Sequence, residues 1–316
     1  MSGCAHHSQE IPPSTGKGVG FIEPTAQIQD SFDQPKLPSR AIFDPSIKID
    51  TVVDIRDMLE RNPARAMNLL EKAFKLYYEC FPDPGGRECQ ETILACLQDP
   101  EVNWRVYVAL DKDETVLGGR HVNIMETAIK GELVKFAWGE HLYVNTDPEY
   151  RRQKIGSCIV QQTNAMLRNL NVGLVFSEQN DPYLMTHHEV EVDMQSGILP
   201  QQRLEFWGKQ GYRAFNAPYA QPSLDGGDPL LYLRLCCNVM EPALIPESVG
   251  FTGKSIDRDA YLSMIRHFHG TFVEDMNADP TSAYIKSLVD SGPTQIALIH
   301  IGEPRTFCQE RIDLAV

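Results

Sequence analysis

The stretch YVNTDPEYRRQKIGSCIVQQTNAMLRNL, residues 143–170, decides the fold, because it predicts a strand that runs through a basic turn into an amphipathic helix. Leu142 and Val144 alternate as strand residues do, and Pro148 ends the strand. Apolar residues then recur at helical spacing, at Ile155, Ile159, Val160, Ala165, Met166, Leu167 and Leu170. The pattern therefore predicts a helix that begins near Lys154.

The start of this helix has the composition of a phosphate-binding site. The first turn of any helix presents backbone N–H groups without helical partners and the positive end of the helix dipole. Here cationic side chains precede the helix, and small residues let a ligand approach the backbone closely. The predicted phosphate-binding residues are Arg151, Arg152, Gln153, Lys154, Gly156 and Ser157. A pyrophosphate would fit at this turn.

The order of motifs resembles the GNAT (N-acetyltransferase) superfamily of acyltransferases. Residues 151–156 match its phosphate-loop pattern, with Lys154 where the first Gly usually stands. RLEFWGKQGYRAF, residues 203–215, resembles the last helix of that family and its following Gly-aromatic turn. The strand-like VGLVFSEQ lies between the two motifs. Together these features cover residues 65–238 and imply a GNAT-like α/β fold, with a mixed, mostly antiparallel sheet flanked by helices.

The resemblance also implies where an acyl-CoA would bind. Two neighbouring strands, predicted at residues 136–144 and 173–179, are expected to separate so that the pantetheine arm inserts between them. Backbone N–H groups of Leu142, Tyr143 and Val144 would then contact the thioester carbonyl. Acetyl-CoA or another acyl-CoA is the expected co-substrate, and family members transfer the acyl group directly to the acceptor.

Glu140 is the first candidate for the general base that takes the proton from an amine acceptor. Alternation places it on the same strand face as Trp138, Leu142 and Val144, where apolar neighbours would raise its pKa toward neutrality. An equally good interpretation is a structural Glu paired with a nearby cation such as Arg120.

The remaining catalytic candidates are less well placed by motif. Glu178, on the second strand, is the reserve base, and His141 is expected on the strand face opposite Glu140. Trp207 stands where many family members have a tyrosine acid, and an indole N–H has no useful acidity. Either Tyr143 or Tyr183 protonates the leaving thiolate, or no acid is needed, since a thiol pKa of roughly 8.5 makes the thiolate a tolerable leaving group.

The chain is predicted to have three parts: an extended arm over residues 1–50, the acyltransferase domain over 51–238, and an accessory α/β extension over 239–316. Within the domain, TVVDIRDMLERN predicts a first helix and PARAMNLLEKAFKLYYECF a second. A meander of antiparallel strands is predicted at residues 104–110, 116–125 and 135–144. In the extension we expect two helices and a strand, with Ser255 as the N-cap of the first helix.

Residues 180–199, NDPYLMTHHEVEVDMQSGIL, form an insert that would lie over the acceptor end of the cleft. Apolar residues alternate with acids there, which predicts a half-exposed hairpin. The adjacent His187 and His188 cannot both face one ion on a strand, so no metal is expected. Tyr183 either lines an acceptor pocket or anchors the loop.

Composition excludes several classes of function. The net charge of -14 argues against a nucleic-acid partner, and no apolar run approaches the length of a membrane span. The polar start MSGCAHHSQE lacks a signal-peptide core, so the expected location is the cytoplasm. The eight cysteines are scattered without zinc-site spacing and are expected to be reduced.

The expected function is acyl-CoA-dependent acyl transfer, most simply N-acetylation of a small-molecule amine. A specialised acyl group, delivered by CoA or by the phosphopantetheine arm of an acyl carrier protein, is the enzymatic alternative. A catalytically idle acyl-CoA-binding regulatory module is the third interpretation. Whichever function holds, the C-terminal extension could be a homodimer surface, a pocket wall or a docking surface for a carrier protein.

Overall fold

The computed structural model describes residues 49–82, 87–145, 147, 150, 153–194, 198–222, 229–270, 285–286, 290 and 292–305. For Glu140 and Met194 it describes the backbone only. Arg151 and Arg152 of the predicted phosphate site lie outside the described residues.

The described chain contains seven α-helices and nine strands. The helices are α1 (Ile55–Arg61), α2 (Pro63–Cys80), α3 (Gln90–Gln98), α4 (Ile155–Asn169), α5 (His187–Met194), α6 (Pro200–Lys209) and α7 (Arg258–His269). The strands are β1 (Thr51–Asp54), β2 (Asn103–Leu110), β3 (Val116–Ile129), β4 (Glu132–Val144), β5 (Leu174–Asn180), β6 (Arg213–Phe215), β7 (Leu233–Val239), β8 (Ser255–Asp257) and β9 (Gln295–His300). Of the described helices, none is long and apolar enough to cross a membrane.

All of these strands lie in one sheet, in the spatial order β1-β2-β3-β4-β5-β7-β6-β9-β8. Neighbouring strands are antiparallel except β4 and β5, which run parallel. A parallel pair needs a crossover connection, and α4 supplies it between these two strands. The predicted class, an α/β fold with a mixed, mostly antiparallel sheet flanked by helices, is confirmed.

The two faces of the sheet carry different helices. On β3, His121 and Met125 point to the same face because they lie four residues apart in an extended strand. His121 contacts the ring of Tyr77 in α2, and Met125 belongs to the buried cluster that includes Phe268 of α7. Ile124 points to the opposite face, where α4 and α6 pack. Helices α2 and α7 therefore share one face of the sheet, and α4 and α6 share the other.

The segment TVVD, predicted to begin the first helix, is strand β1 instead. It pairs antiparallel with the end of β2, as suits a run of β-branched residues. The side chain of Asp54 then caps α1 by accepting from the backbone N–H of Arg56 at 3.0 Å. The helix begins only after this cap. The second predicted helix is confirmed as α2.

The insert after β5 contains a helix, α5, where the sequence predicted a hairpin. A reciprocal capping box begins the helix: the N–H of Thr186 donates to the Glu189 carboxylate at 2.6 Å, and the N–H of Glu189 donates to the Thr186 hydroxyl at 3.3 Å. This cap outweighs the alternation of apolar and acidic residues. The carboxylate of Asp193 then accepts from Arg203 at 2.9 Å and from Asn180 at 3.0 Å, which ties α5 to α6 and to the end of β5.

The C-terminal part of the chain adds strands to the same sheet. β9 pairs with β6 on one side and with β8 on the other. Ser255 belongs to β8 and is not the N-cap of α7; Asp257 is, because its carboxylate accepts from the N–H of Asp259 at 2.9 Å. Most of the second predicted helix, residues 281–292, lies outside the described residues. The division of the chain near residue 239 stays a prediction.

Candidate active site

A wedge opens in the middle of the sheet between β4 and β5. The two strands pair only from Phe136 opposite Leu174 to Gly139 opposite Ser177. Beyond these pairs, β4 continues against β3 to its end, and β5 continues against β7. The predicted separation of the two strands is confirmed. Backbone groups of residues 140–144 that point away from β3 therefore join no strand ladder among the described residues.

A β-bulge at Glu140 lies at the point where the strands separate. His121 of β3 faces His141 and the next residue faces Gly139, so Glu140 is the extra residue on β4. A bulge of one residue reverses which face the following side chains occupy. Trp138 accordingly packs on the α7 face, whereas Leu142 packs on the α4 face.

The bulge corrects the prediction made for Glu140. Trp138 and Leu142 cannot share a strand face with one another, so the predicted apolar surface around Glu140 was wrong. His141, expected on the opposite face, contacts the ring of Tyr77 on the same face as Trp138. The Glu140 side chain itself lies outside the described atoms, so its role as base stays a prediction.

The start of α4 adopts a conformation that glycine usually supplies. Lys154 is the N-cap residue and has φ 60° and ψ 18°, in the left-handed region. A left-handed conformation costs a residue with a Cβ roughly 1–2 kcal/mol, which explains why glycine is usual here. The carbonyl of Lys154 accepts the first helical bond, from Cys158 at 3.0 Å.

Small residues place this helix start against the end of β4. A Cβ at Gly156 would lie 3.5 Å from a methyl group of Val144 and 3.4 Å from the ring of Phe206. The Ser157 hydroxyl accepts from the side-chain amide of Gln210 at 3.0 Å. The start of α4 therefore lies beside the end of β4, at the wide end of the wedge.

Glu178 is the first residue of β5 beyond the last pair with β4. Its carboxylate accepts from the indole Nε1 of Trp138 at 3.3 Å and from the hydroxyl of Tyr219. Burial raises the pKa of Glu178 to about 7, although the two hydrogen bonds lower it; the nearby charge of Glu88 raises it further. A carboxyl group that titrates near neutrality is suited to accept a proton from an amine.

A second polar cluster lies beside the bulge. The hydroxyl of Tyr77 donates to Glu88 at 3.2 Å and lies 3.4 Å from Nδ1 of His141. That nitrogen is 3.5 Å from the Glu88 carboxylate. The neighbouring His121 is buried, which lowers its pKa well below the usual value. No motif in the sequence marks Glu88 or Tyr219 as members of a site, because only the folded sheet brings them to β4 and β5.

The two tyrosines named as possible acids have other roles in the structure. Tyr143 is buried against Tyr77, and burial raises its pKa far above the usual phenol value, which makes it a weaker acid. Tyr183 is 48% exposed, and its hydroxyl donates to the backbone carbonyl of Gly302 at 3.0 Å. Of the two interpretations of Tyr183, this bond favours the loop anchor.

Arg120, the suggested partner of Glu140, has three neutral acceptors on the α4 face of the sheet. Its guanidinium donates to the hydroxyl of Thr163 at 2.9 Å, the side-chain carbonyl of Asn164 at 2.8 Å and the hydroxyl of Tyr212 at 2.7 Å. These bonds join β3, α4 and the turn after α6. Within the described part of the chain, no group of three or more His, Cys, Asp or Glu residues could hold a metal ion.

Comparisons with known proteins give structural matches only. The sequence matches no protein-family model and no curated protein sequence. Among solved structures, the chain is similar to an aminoglycoside 6'-N-acetyltransferase complexed with coenzyme A, with 16% identity, coverage of 61% of this chain and 98% of that chain, and a TM-score of 0.38. It is also similar to the aminoglycoside 6'-N-acetyltransferase of Enterococcus faecium, with 16% identity, the same coverages and a TM-score of 0.39.

A third match is an acetyltransferase of the GNAT family from Staphylococcus aureus, with 11% identity, coverage of 55% and 94%, and a TM-score of 0.34. All three are acetyltransferases, the class of protein that the motifs in the sequence resemble. Because the identities are below 25% and the TM-scores below 0.5, we base the function on the wedge, the start of α4 and Glu178.

Proposed function

We propose that this chain is an acyl-CoA-dependent acyltransferase that N-acetylates a small-molecule amine by direct attack on the thioester. The observation that carries the proposal is the wedge between β4 and β5, whose wide end meets the start of α4. The separated strand edge and the helix start beside it suit a ligand that has an extended amide-rich arm and an anionic diphosphate, which are the features of coenzyme A.

In this proposal the wedge and the start of α4 each hold one part of the cofactor. The pantetheine amides add to residues 140–144 of β4 as a short extra strand, because the backbone groups on this edge have no ladder to join among the described strands. The diphosphate lies at the first turn of α4, near the N–H groups of Gly156 and Ser157 and the positive charge of Lys154. Arg151 and Arg152 would add charge there.

The chemistry needs a base, an oxyanion site and a way for the thiolate to leave. Glu178, at the edge of the wedge, takes the proton as the amine nitrogen attacks the thioester carbon. Backbone N–H groups among Leu142, Tyr143 and Val144 stabilise the oxyanion. The C–S bond then breaks, the amide forms, and the coenzyme A thiolate leaves and takes up a proton from water.

Two measurements on the purified chain test this proposal. Native mass spectrometry is expected to find coenzyme A or an acyl-CoA bound, and thiol release from acetyl-CoA is expected to depend on an added amine. Thiol release with a longer acyl-CoA or an acylated carrier protein, but not with acetyl-CoA, would reassign the donor. Binding without thiol release for any amine in a broad panel would favour the idle regulatory module.

A further inference from the structure

We propose that helix α7 of the C-terminal extension belongs to the catalytic centre, with Phe268 as a positioning residue that holds Glu178 through Trp138. The inference rests on the proposed function, in which Glu178 is the base. It assigns the extension a role as the rear wall of the active site, one of the alternatives that the sequence left open.

The first connection from α7 to Glu178 runs through the indole that donates to it. The rings of Phe268 and Trp138 stack with centroids 3.6 Å apart and an interplanar angle of 7°. Phe176 lies near Trp138 as well, at 5.3 Å and 22°. Both Trp138 and Phe268 are fully buried. Because these contacts restrict rotation of the indole, they fix the direction in which its N–H meets the carboxylate of Glu178.

The second connection reaches the other donor to the same carboxylate. The hydroxyl of Tyr261, also on α7, donates to the backbone carbonyl of Pro218 at 2.9 Å. Pro218 immediately precedes Tyr219, whose hydroxyl donates to Glu178. The ring of His269, at the end of α7, lies 6.0 Å from the ring of Tyr219. One helix of the extension thus contacts the supports of both hydrogen bonds to Glu178.

These contacts affect the ionisation of Glu178, because its side chain lies on the face of the sheet that α7 covers. The carboxylate is on the sheet face that α7 covers, since Trp138 and Phe176 point to that face as well. Removing part of this cover admits water, which favours the ionised carboxylate, whereas removing a donor disfavours it. Variants of α7 are therefore expected to change the ionisation of Glu178 in a direction that depends on which contact is lost.

A purely structural role of α7 would have different effects on stability and on the titration of Glu178. If α7 only fills the core, any truncation in it lowers stability and leaves the titration of Glu178 unchanged. Ile265 provides the matched control, because it is buried in the same cluster on the same helix and has no ring to stack on Trp138. Ile265→Ala removes three side-chain carbons, as many as Phe268→Leu does, so it controls for lost packing.

The experiment follows the carboxyl carbon of Glu178 by NMR in protein labelled with 13C at the Glu side-chain carboxyl, with the signal assigned by its loss in Glu178→Gln. Phe268→Leu is expected to raise the titration midpoint by up to about one pH unit, because leucine keeps most of the cover but does not stack on the indole, whose N–H then donates a weaker bond to the carboxylate. Tyr261→Phe is expected to raise the midpoint by a few tenths of a unit, by weakening the Tyr219 bond. Ile265→Ala is expected to leave it unchanged.

The outcomes separate this inference from the proposed function. Equal midpoints in wild type, Phe268→Leu and Tyr261→Phe would overturn the inference, even if Glu178→Gln abolishes turnover and so supports the base. A shift of the same size in Ile265→Ala would also overturn it. Turnover by Glu178→Gln at the wild-type rate would refute the base and with it the catalytic role of α7. Tyr261→Phe keeps its ring and provides the test if Phe268→Leu does not fold.

Discussion

The start of α4 is built from consecutive residues, whereas the surroundings of Glu178 come from four separate parts of the chain. Residues 151–157 follow one another, and the helix that they begin supplies the N–H groups and the dipole. Glu178 instead receives donors from residues 40 and 41 positions away, one on β4 and one after β6, and α7 covers them. The start of α4 could therefore be predicted from the sequence, and the surroundings of Glu178 could not.

The strongest test of this comparison asks which carboxylate is the base. Glu178→Gln is expected to retain affinity for coenzyme A and to lower turnover roughly a hundredfold to ten-thousandfold, the contribution of a positioned base. Glu140→Gln is the matched variant, because Glu140 and Glu178 are each the first residue of their strand beyond the last pair between β4 and β5. Single-turnover acetyl transfer to a responsive amine measures both. A large loss in Glu140→Gln with near wild-type turnover in Glu178→Gln would restore the first candidate of the sequence.

The success and failure of sequence reasoning have one physical cause. Strand, turn and helix signals are local, so α2, the meander, α4, β5 and α6 were predicted close to their observed bounds. The bulge at Glu140 depends on pairing with β3, and no local signal marks it. The bulge decides which face of the sheet each later side chain of β4 occupies. Simple alternation therefore placed Trp138 and Leu142 on the same face, although they lie on opposite faces. Long-range pairing likewise decided β1, which was predicted as helix.

The second test removes charge from the predicted phosphate turn. Replacing Arg152 and Lys154 together by Ala is expected to weaken coenzyme A binding about a hundredfold or more, because each charge-assisted phosphate contact contributes roughly 1.5 kcal/mol or more. Isothermal titration calorimetry measures the affinity. Lys135→Ala is the control, since this Lys is paired with Glu126 near the start of β4, at the end of the strand opposite Val144. Wild-type affinity in the double variant would move the phosphate site away from α4.

A smaller effect is expected from the hydrogen bond that Tyr219 donates to Glu178. This bond lowers the pKa of Glu178, so Tyr219→Phe is expected to raise it above its value of about 7 by roughly one unit. A base works when ionised, so the acidic limb of the turnover profile should move to higher pH by the same amount. Turnover on the alkaline side should change little. The measurement is the pH dependence of kcat with saturating acetyl-CoA and amine.

Two further tyrosine variants show whether this shift is specific to Tyr219. Tyr143→Phe and Tyr183→Phe are expected to leave the profile unchanged, since Tyr143 packs against Tyr77 and Tyr183 bonds to Gly302. A large drop in single-turnover rate for either variant would identify a general acid, and the thiolate would then not leave unassisted. A profile that stays in place in Tyr219→Phe would mean that Glu178 does not control the acidic limb.

The smallest expected effect separates the two properties of Lys154, its charge and its backbone conformation. With φ at 60°, Lys154 bears a strain that glycine would relieve, while glycine adds freedom to the unfolded chain. Lys154→Gly is therefore expected to change the free energy of unfolding by at most about 1 kcal/mol in the stabilising direction. Lys154→Ala keeps the strain and loses the same charge, so it is the matched control. Urea denaturation measures the stability of each variant.

Coenzyme A affinity completes the test at this residue. Both variants lose the ammonium group, so if the charge alone contacts phosphate, their affinities should fall equally. If the left-handed turn is what aims the N–H groups of α4 at the phosphate, Lys154→Gly should bind more tightly than Lys154→Ala, because glycine adopts that conformation without strain. Lower affinity of the Gly variant than of the Ala variant would contradict both interpretations. We expect equal affinities, since the packing of Gly156 against Val144 and Phe206 holds the strained helix start even with Lys at the N-cap, and it should hold it with Ala as well.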